Sequence, residues 1–145
     1  MDRVFDRIRG YTLIELMISV LIISIGVLGV VTLQSVSLRG NNGAYLKTQA
    51  TFIAGDIIAR MMANPDGVEA GAYTSISSSS PPLDPDCIST GCSPDQLASQ
   101  DIREWSHYFS NVLGTANYRA TLPDASGTVV ATGDVYVVTV RSATF

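Results

Sequence analysis

Arg9-Gly10-Tyr11-Thr12-Leu13-Ile14-Glu15-Leu16-Met17 opens an apolar run that continues to Leu33, and the fold turns on how this stretch is read. Between Tyr11 and Leu38 the one charged residue is Glu15. Tyr11 to Leu33 makes roughly 34 Å of helix at about 1.5 Å rise per residue. That length crosses a hydrocarbon core about 30 Å thick, with some tilt. Arg3, Arg7 and Arg9 flank the amino-terminal side, and the positive-inside rule keeps that end cytoplasmic, with the carboxy-terminal bulk in the opposite compartment. A carboxylate costs roughly 2.5–3.5 kcal/mol at the centre of a membrane helix and less near its end. Glu15 is therefore a candidate functional residue whose partner has to be found.

A cleaved secretory signal would carry a small-residue site after its apolar core. Here the run passes Gly26 and Gly29 and reaches Leu33 without an Ala-x-Ala site, while the Gly10–Tyr11 junction precedes it. The string from Arg9 to Glu15 resembles the class III leader of type IV pilins and type II secretion pseudopilins. The resemblance implies that a prepilin peptidase cuts between Gly10 and Tyr11, removing residues 1–10 as a leader, and that Tyr11 is then N-methylated. Tyr11 stands where that family usually has Phe, and it keeps the aromatic ring. A new α-amine at Tyr11 is positive at neutral pH, with a reference pKa near 8. In apolar surroundings a carboxylate attracts such an amine far more strongly than in water, although both charges pay desolvation. Glu15 gains most when a neighbouring subunit is docked in register, which makes it an assembly registry residue. The plainer alternative is an interfacial Glu held by water and headgroups, and pairing with its own amine rather than a neighbour's also stays open.

Beyond the membrane stretch, Leu46, Ala50, Ile53, Ile57 and Met61 recur on one face of a 3.6-residue period. Asn64-Pro65 ends that pattern, because the residue before Pro is pushed out of the helical region. The expectation is one helix over residues 11–63, with 11–33 transmembrane. Gly26/Gly29 and Gly40/Gly43 each cost about 1 kcal/mol relative to Ala in a helix. They permit bending or local melting, most of all around Asn41-Asn42, or else close helix–helix approach. Ile25-Gly26-Val27-Leu28-Gly29, Leu33-Gln34 and Asp56…Arg60-Met61-Met62-Ala63-Asn64-Pro65 are similar to the PilV-type minor pilins. The later Asp101…Glu104-Trp105 also resembles their heads.

Residues 64–145 predict a small periplasmic head. Its first part, 64–93, reads as a loop rich in Ser and Pro, with little to bury from Ser75 to Asp86. Cys87 and Cys92 are the only cysteines, and in an oxidising periplasm such a pair forms a disulfide. Two thiols without a nearby His or a second pair fall short of the usual four-ligand metal set. Asp84, Asp86 and Asp95 lack EF-hand spacing and read as solvated loop acids, with calcium as the lesser alternative. Ser93-Pro94-Asp95-Gln96 is a capping box with Pro at the first helical position. It predicts a helix over 94–113 with Ala98, Ile102, Trp105, Phe109 and Val112 facing the core, Gly114 as its C-cap, and His107 on its surface. Three strands are expected, at 117–122, 128–132 and 135–140, as an antiparallel meander with turns at Pro123–Gly127 and Gly133-Asp134. The expected fold class is α+β, and the resemblance implies that it is type IV pilin-like.

Charged residues make up 15% of the chain, against about 25% in ordinary globular domains. A net charge of −4 with scattered Lys and Arg argues against nucleic acid, including a DNA-uptake role. No nucleophile–His pattern and no phosphate-binding glycine loop occurs, so neither an enzyme nor a cofactor or small-molecule substrate is expected. The resemblance implies a minor pilin that primes or modifies type IV pilus assembly, with effects on adhesion and twitching motility. Its partners would be other minor and major pilins, prepilin peptidase and the inner-membrane assembly platform. It would be held in the inner membrane with a periplasmic head before reaching the pilus. The alternatives are a type II secretion pseudopilin of a periplasmic piston filament, and an uncleaved membrane-anchored binding module.

Overall fold

A computed structural model describes residues 11–122 and 124–142. The leader residues 1–10, with Gly10 of the cleavage junction, lie outside the described residues. The chain divides into two compact units, one ending at Asn41 and the other beginning at Asn42.

Helix α1 runs Leu13–Ala63, and its helical backbone is unbroken through Gly40–Gly43, so no local melting occurs there. In the first unit every side chain from Tyr11 to Asn41 is exposed. A helix that is apolar on all sides is a membrane span or the core of a larger assembly. Three of its hydroxyls suit such surroundings, because they are satisfied within the helix. Ser19 Oγ donates to the Glu15 carbonyl, Ser24 Oγ to Val20 and Thr32 Oγ1 to Leu28, at 2.7, 2.7 and 2.9 Å.

The second unit has a core of its own. Leu46, Ile53, Ile57 and Met61 are buried on one stripe of α1, with Ala50 packed beside them. Asn64 ends α1 and caps the short helix α2 (Pro65–Glu69), accepting from the Gly67 amide at 3.2 Å. Pro65 thus stops one helix and starts the next, where its missing N–H costs nothing. Short helix α3 spans Cys87–Thr90, and helix α4 spans Pro94–Ser106 behind the full Ser93/Gln96 capping box. Trp105 and Ala98 of α4 meet the α1 stripe in the core. The Trp105 indole N–H also donates to the Ile53 carbonyl at 2.8 Å.

Helix α4 is shorter than the apolar spacing predicted. After Ser106 the backbone tightens: the amides of His107, Tyr108 and Phe109 bond three residues back, to Glu104, Trp105 and Ser106. Spacings of three suit such a tightened turn as well as a helix, so Phe109 still packs on the core although the helix has ended. Gly114, at φ 69°, serves a later turn and is not the cap of α4.

The sheet is antiparallel in the order β1-β2-β3, with β1 at Ser75–Ser77, β2 at Ala125–Thr132 and β3 at Val135–Ser142. The hairpin turns at Gly133-Asp134, where Gly133 takes φ 61°. Two expectations change. Residues 117–122 form no strand: Asn117 sits in the left-handed region at φ 56°, and Thr121 N–H bonds instead to the Tyr108 carbonyl at 3.1 Å. The third strand comes from the Ser-rich segment, where buried Ile76 pairs with Val129. Ser126-Gly127 lies inside β2 rather than in a turn. A Cβ at Gly127 would run into the rings of Trp105 and Phe109, so here glycine marks close approach within a strand.

Candidate functional site

The first turn of α1 is fixed by Thr12. The Glu15 amide donates to the Thr12 carbonyl at 3.0 Å and to Thr12 Oγ1 at 3.3 Å, and the Leu16 amide donates to the Thr12 carbonyl at 3.3 Å. Thr12 thus occupies the N-cap and Glu15 the third helical position, the Thr-x-x-Glu order of a capping box. A carboxylate in a first turn also faces the positive end of the helix dipole. Tyr11, 78% exposed, directly precedes the cap. The arrangement places Glu15 one turn from the Tyr11 backbone, with no cover over either. The hydroxyl of Thr12 is the residue the sequence reading passed over, although its spacing from Glu15 was a readable signal.

Residues 6–31 match the prokaryotic N-terminal methylation motif. No curated protein and no solved structure matches the chain. That motif supports a type IV pilin-like or pseudopilin-like reading of the amino-terminal segment. Such a leader implies processing by a prepilin peptidase and assembly with other pilins. Among the described residues, one helix, α1, is long and apolar enough to cross a membrane, which fits inner-membrane anchoring.

A second constellation lies in the head. Arg60 of α1 donates from Nε to Asp56 Oδ2 at 2.9 Å, and from Nη1 to Asp101 Oδ1 at 3.2 Å and Glu104 Oε2 at 2.7 Å. Tyr73 donates its hydroxyl to Asp101 Oδ2 at 2.5 Å. Asn64 Nδ2 donates to the Tyr73 oxygen at 3.1 Å and to the Pro94 carbonyl at 2.8 Å. One guanidinium thus gathers three carboxylates, and buried Asp101 is saturated from both sides. Burial opposes the charge of Arg60, but the hydrogen bonds to Glu104 and Asp56 outweigh it and hold the guanidinium above its ordinary value. Burial pushes the Tyr73 phenol up, and its bond to Asp101 pushes it further. Burial would raise the Glu104 carboxyl, yet its bonds to Gln100 and Arg60 prevail and lower it.

The sequence reading had Asp56, Arg60 and Asn64 in one block and Asp101 and Glu104 in another; the structure brings the two together. Tyr73 was missed. The signal for Asp101 was its place beside Ala98, Ile102 and Trp105, an acid on an otherwise apolar face. Cys87 and Cys92 are joined by a disulfide with Cα atoms 5.0 Å apart. His107 sits at the end of α4, its ring 4.6 Å from that of Tyr118. Among the described residues, no group of three metal-ligating side chains occurs, Asp84, Asp86 and Asp95 included.

Proposed function

We propose that this chain is a minor pilin of the PilV type, a structural subunit that primes or modifies type IV pilus assembly and so influences adhesion and twitching motility. Its role is assembly rather than catalysis. The observation that carries the reading is the methylation motif at the head of an apolar, membrane-length α1. The narrower assignment draws on the Asp56–Arg60–Asn64 and Asp101–Glu104–Trp105 blocks, which resemble that subfamily and which meet at Arg60. In this reading the peptidase cuts between Gly10 and Tyr11, Tyr11 is N-methylated, and Glu15 sets the register between subunits. The head stands in the periplasm until the subunit enters the filament. A pseudopilin of a secretion filament is the second reading, because the same motif heads both kinds of chain.

Mass spectrometry of membrane-extracted protein should find a chain that starts at N-methylated Tyr11. An intact Met1 terminus in cells with active peptidase would end the pilin reading, and Gly10→Ala should leave the leader attached. Glu15→Ala should leave cleavage intact and cut incorporation by about tenfold, the equivalent of about 1.4 kcal/mol of docking free energy. Thr12→Ala separates the two uses of Glu15. If the carboxylate acts only within its own capping box, Thr12→Ala lowers incorporation as much as Glu15→Ala; if it acts between subunits, the Glu15 variant is far worse. Deleting the gene should remove surface pili and leave secretion intact; the reverse result favours the secretion filament.

A further inference from the structure

The two edges of the sheet are unlike. On one side β1 is three residues long, while on the other β3 leaves an edge of eight. The hydrogen bonds of β2 decide which groups of β3 lie open. Ala131 N–H donates to the Thr74 carbonyl at 3.0 Å, and Ser78 N–H donates to the Gly127 carbonyl at 2.9 Å. Gly127 and Ala131 thus turn their main-chain groups to β1. Direction alternates along a strand, so Thr128 and Val130 turn theirs to β3, where they face Thr139 and Val137. The N–H and C=O groups of Tyr136, Val138 and Val140 then point away from β2, and among the described residues these groups make no hydrogen bond. The side chains of the same three residues pack on the core, which holds the open edge in place.

Sheets commonly blunt such an edge with Pro, Lys or a bulge. β3 contains neither Pro nor Lys, and it pairs with β2 through eight consecutive residues without a bulge. The outer face beside the edge is apolar and contiguous. Val137 stands opposite Val130 and two residues from Val135, and the three are 51, 52 and 62% exposed. Alternating main-chain donors and acceptors are matched by an extended chain, and by neither a helix nor a lipid surface. Arg141, the one charge on β3, is exposed and forms no ion pair among the described residues. A second copy of β3 carries no carboxylate to set against it. We infer that β3 is a strand-addition site: a strand of a partner protein pairs with its open edge, placing β-branched or aromatic residues beside Val135 and Val137 and an Asp or Glu beside Arg141. The inference goes beyond the proposed function and applies to a pilus or a secretion filament alike.

The test reads amide hydrogen exchange residue by residue on the full chain, first purified in detergent and then in membranes from its own cells. Alone, the amides of Tyr136, Val138 and Val140 should exchange fast and those of Val137 and Thr139 slowly. In the membranes the three fast amides should slow by about tenfold or more, as expected when each gains a hydrogen bond. A benzophenone amino acid at the exposed Val135 should then give one protein adduct on irradiation. The linked peptide should alternate β-branched or aromatic residues with others and carry an Asp or Glu. Val138→Pro removes an outward N–H and no bond to β2, so it should lower adduct yield on the order of tenfold while the Trp105 fluorescence of the fold persists. Val138→Ala, which keeps the N–H, should retain most of the yield. Arg141→Met should lower the yield and flatten its dependence on salt. The exchange comparison needs no substitution, so it decides even where Val138→Pro fails to fold. Edge amides that stay fast in the membranes would overturn the inference. So would an adduct with lipid or with a second copy, the absence of any protein adduct, or a Val138→Ala variant as impaired as Val138→Pro.

Discussion

Arg60 shows what one side chain does in this head. Among the described residues, its guanidinium is the one cation bonded to Asp56, Asp101 and Glu104, so removing it leaves three carboxylates facing one another. Breaking a fully buried pair costs about 3–5 kcal/mol. Arg60 keeps about a quarter of its side chain in water, so Arg60→Met should cost less, about 2 kcal/mol. Asp101→Asn keeps an oxygen for the Tyr73 hydroxyl and relieves repulsion when Arg60 is absent. The Arg60→Met/Asp101→Asn double variant should therefore be more stable than the two single losses added together. Thermal unfolding of the detergent-solubilised full chain measures all three, and strict additivity would mean the cluster is not coupled. None of this was readable as a network. Helical spacing identified the apolar stripe, but an acid on that stripe gains a partner only when α1 and α4 pack.

At the scale of elements, the legible features were those decided by local chemistry. The Leu46–Met61 stripe, the stop at Asn64-Pro65 and the Ser93/Gln96 capping box depend on neighbours within a turn or two, and each appears in the structure. The illegible ones depend on distant packing. Strand β1 contains a single apolar residue, Ile76, and exists because β2 offers Val129 as its partner. Conversely, Tyr118, Ala120 and Leu122 alternate as a strand would, yet Asn117 turns the chain and the Tyr118 hydroxyl is taken by the His107 carbonyl at 2.5 Å. Gly127 has the most direct test. A methyl group there meets the Trp105 and Phe109 rings, whose centroids are 5.1 Å apart in an edge-to-face pair. Gly127→Ala should cost about 1–3 kcal/mol by overpacking. It should also shift the fluorescence of Trp105, the only tryptophan, to the red as the indole gains water. A variant with unchanged stability and emission would mean that β2 can move away from α4 freely.

Over the whole molecule, the second unit carries a built-in response to pH, because burial and hydrogen bonds displace the titration of Tyr73 and Glu104. The Glu104 carboxyl is lower in the fold than in the unfolded chain. Its contribution to stability is therefore complete above the unfolded value of about 4.3 and is lost as pH falls through the lower folded value. The Tyr73 phenol is raised. Its contribution is complete below the unfolded value of about 10 and is lost as pH climbs from there toward the folded value. The head should therefore have a stability plateau from about pH 5 to about pH 9.5, with an acid and an alkaline edge. Within residues 11–38 the one side-chain carboxylate is Glu15, and the helical hydrogen bonds there do not depend on its charge. Acidifying the full chain in detergent should abolish the Trp105 tertiary signal below about pH 4 while the circular dichroism of the α1 helix persists. Tyr73→Phe should shrink the alkaline edge, to which the Tyr118 phenol, also raised by burial, contributes, and leave the acid one in place, while Glu104→Gln should move the acid edge alone. Simultaneous loss of both signals, or an alkaline edge left unchanged by Tyr73→Phe, would show that the Arg60 cluster does not set the head's response to pH.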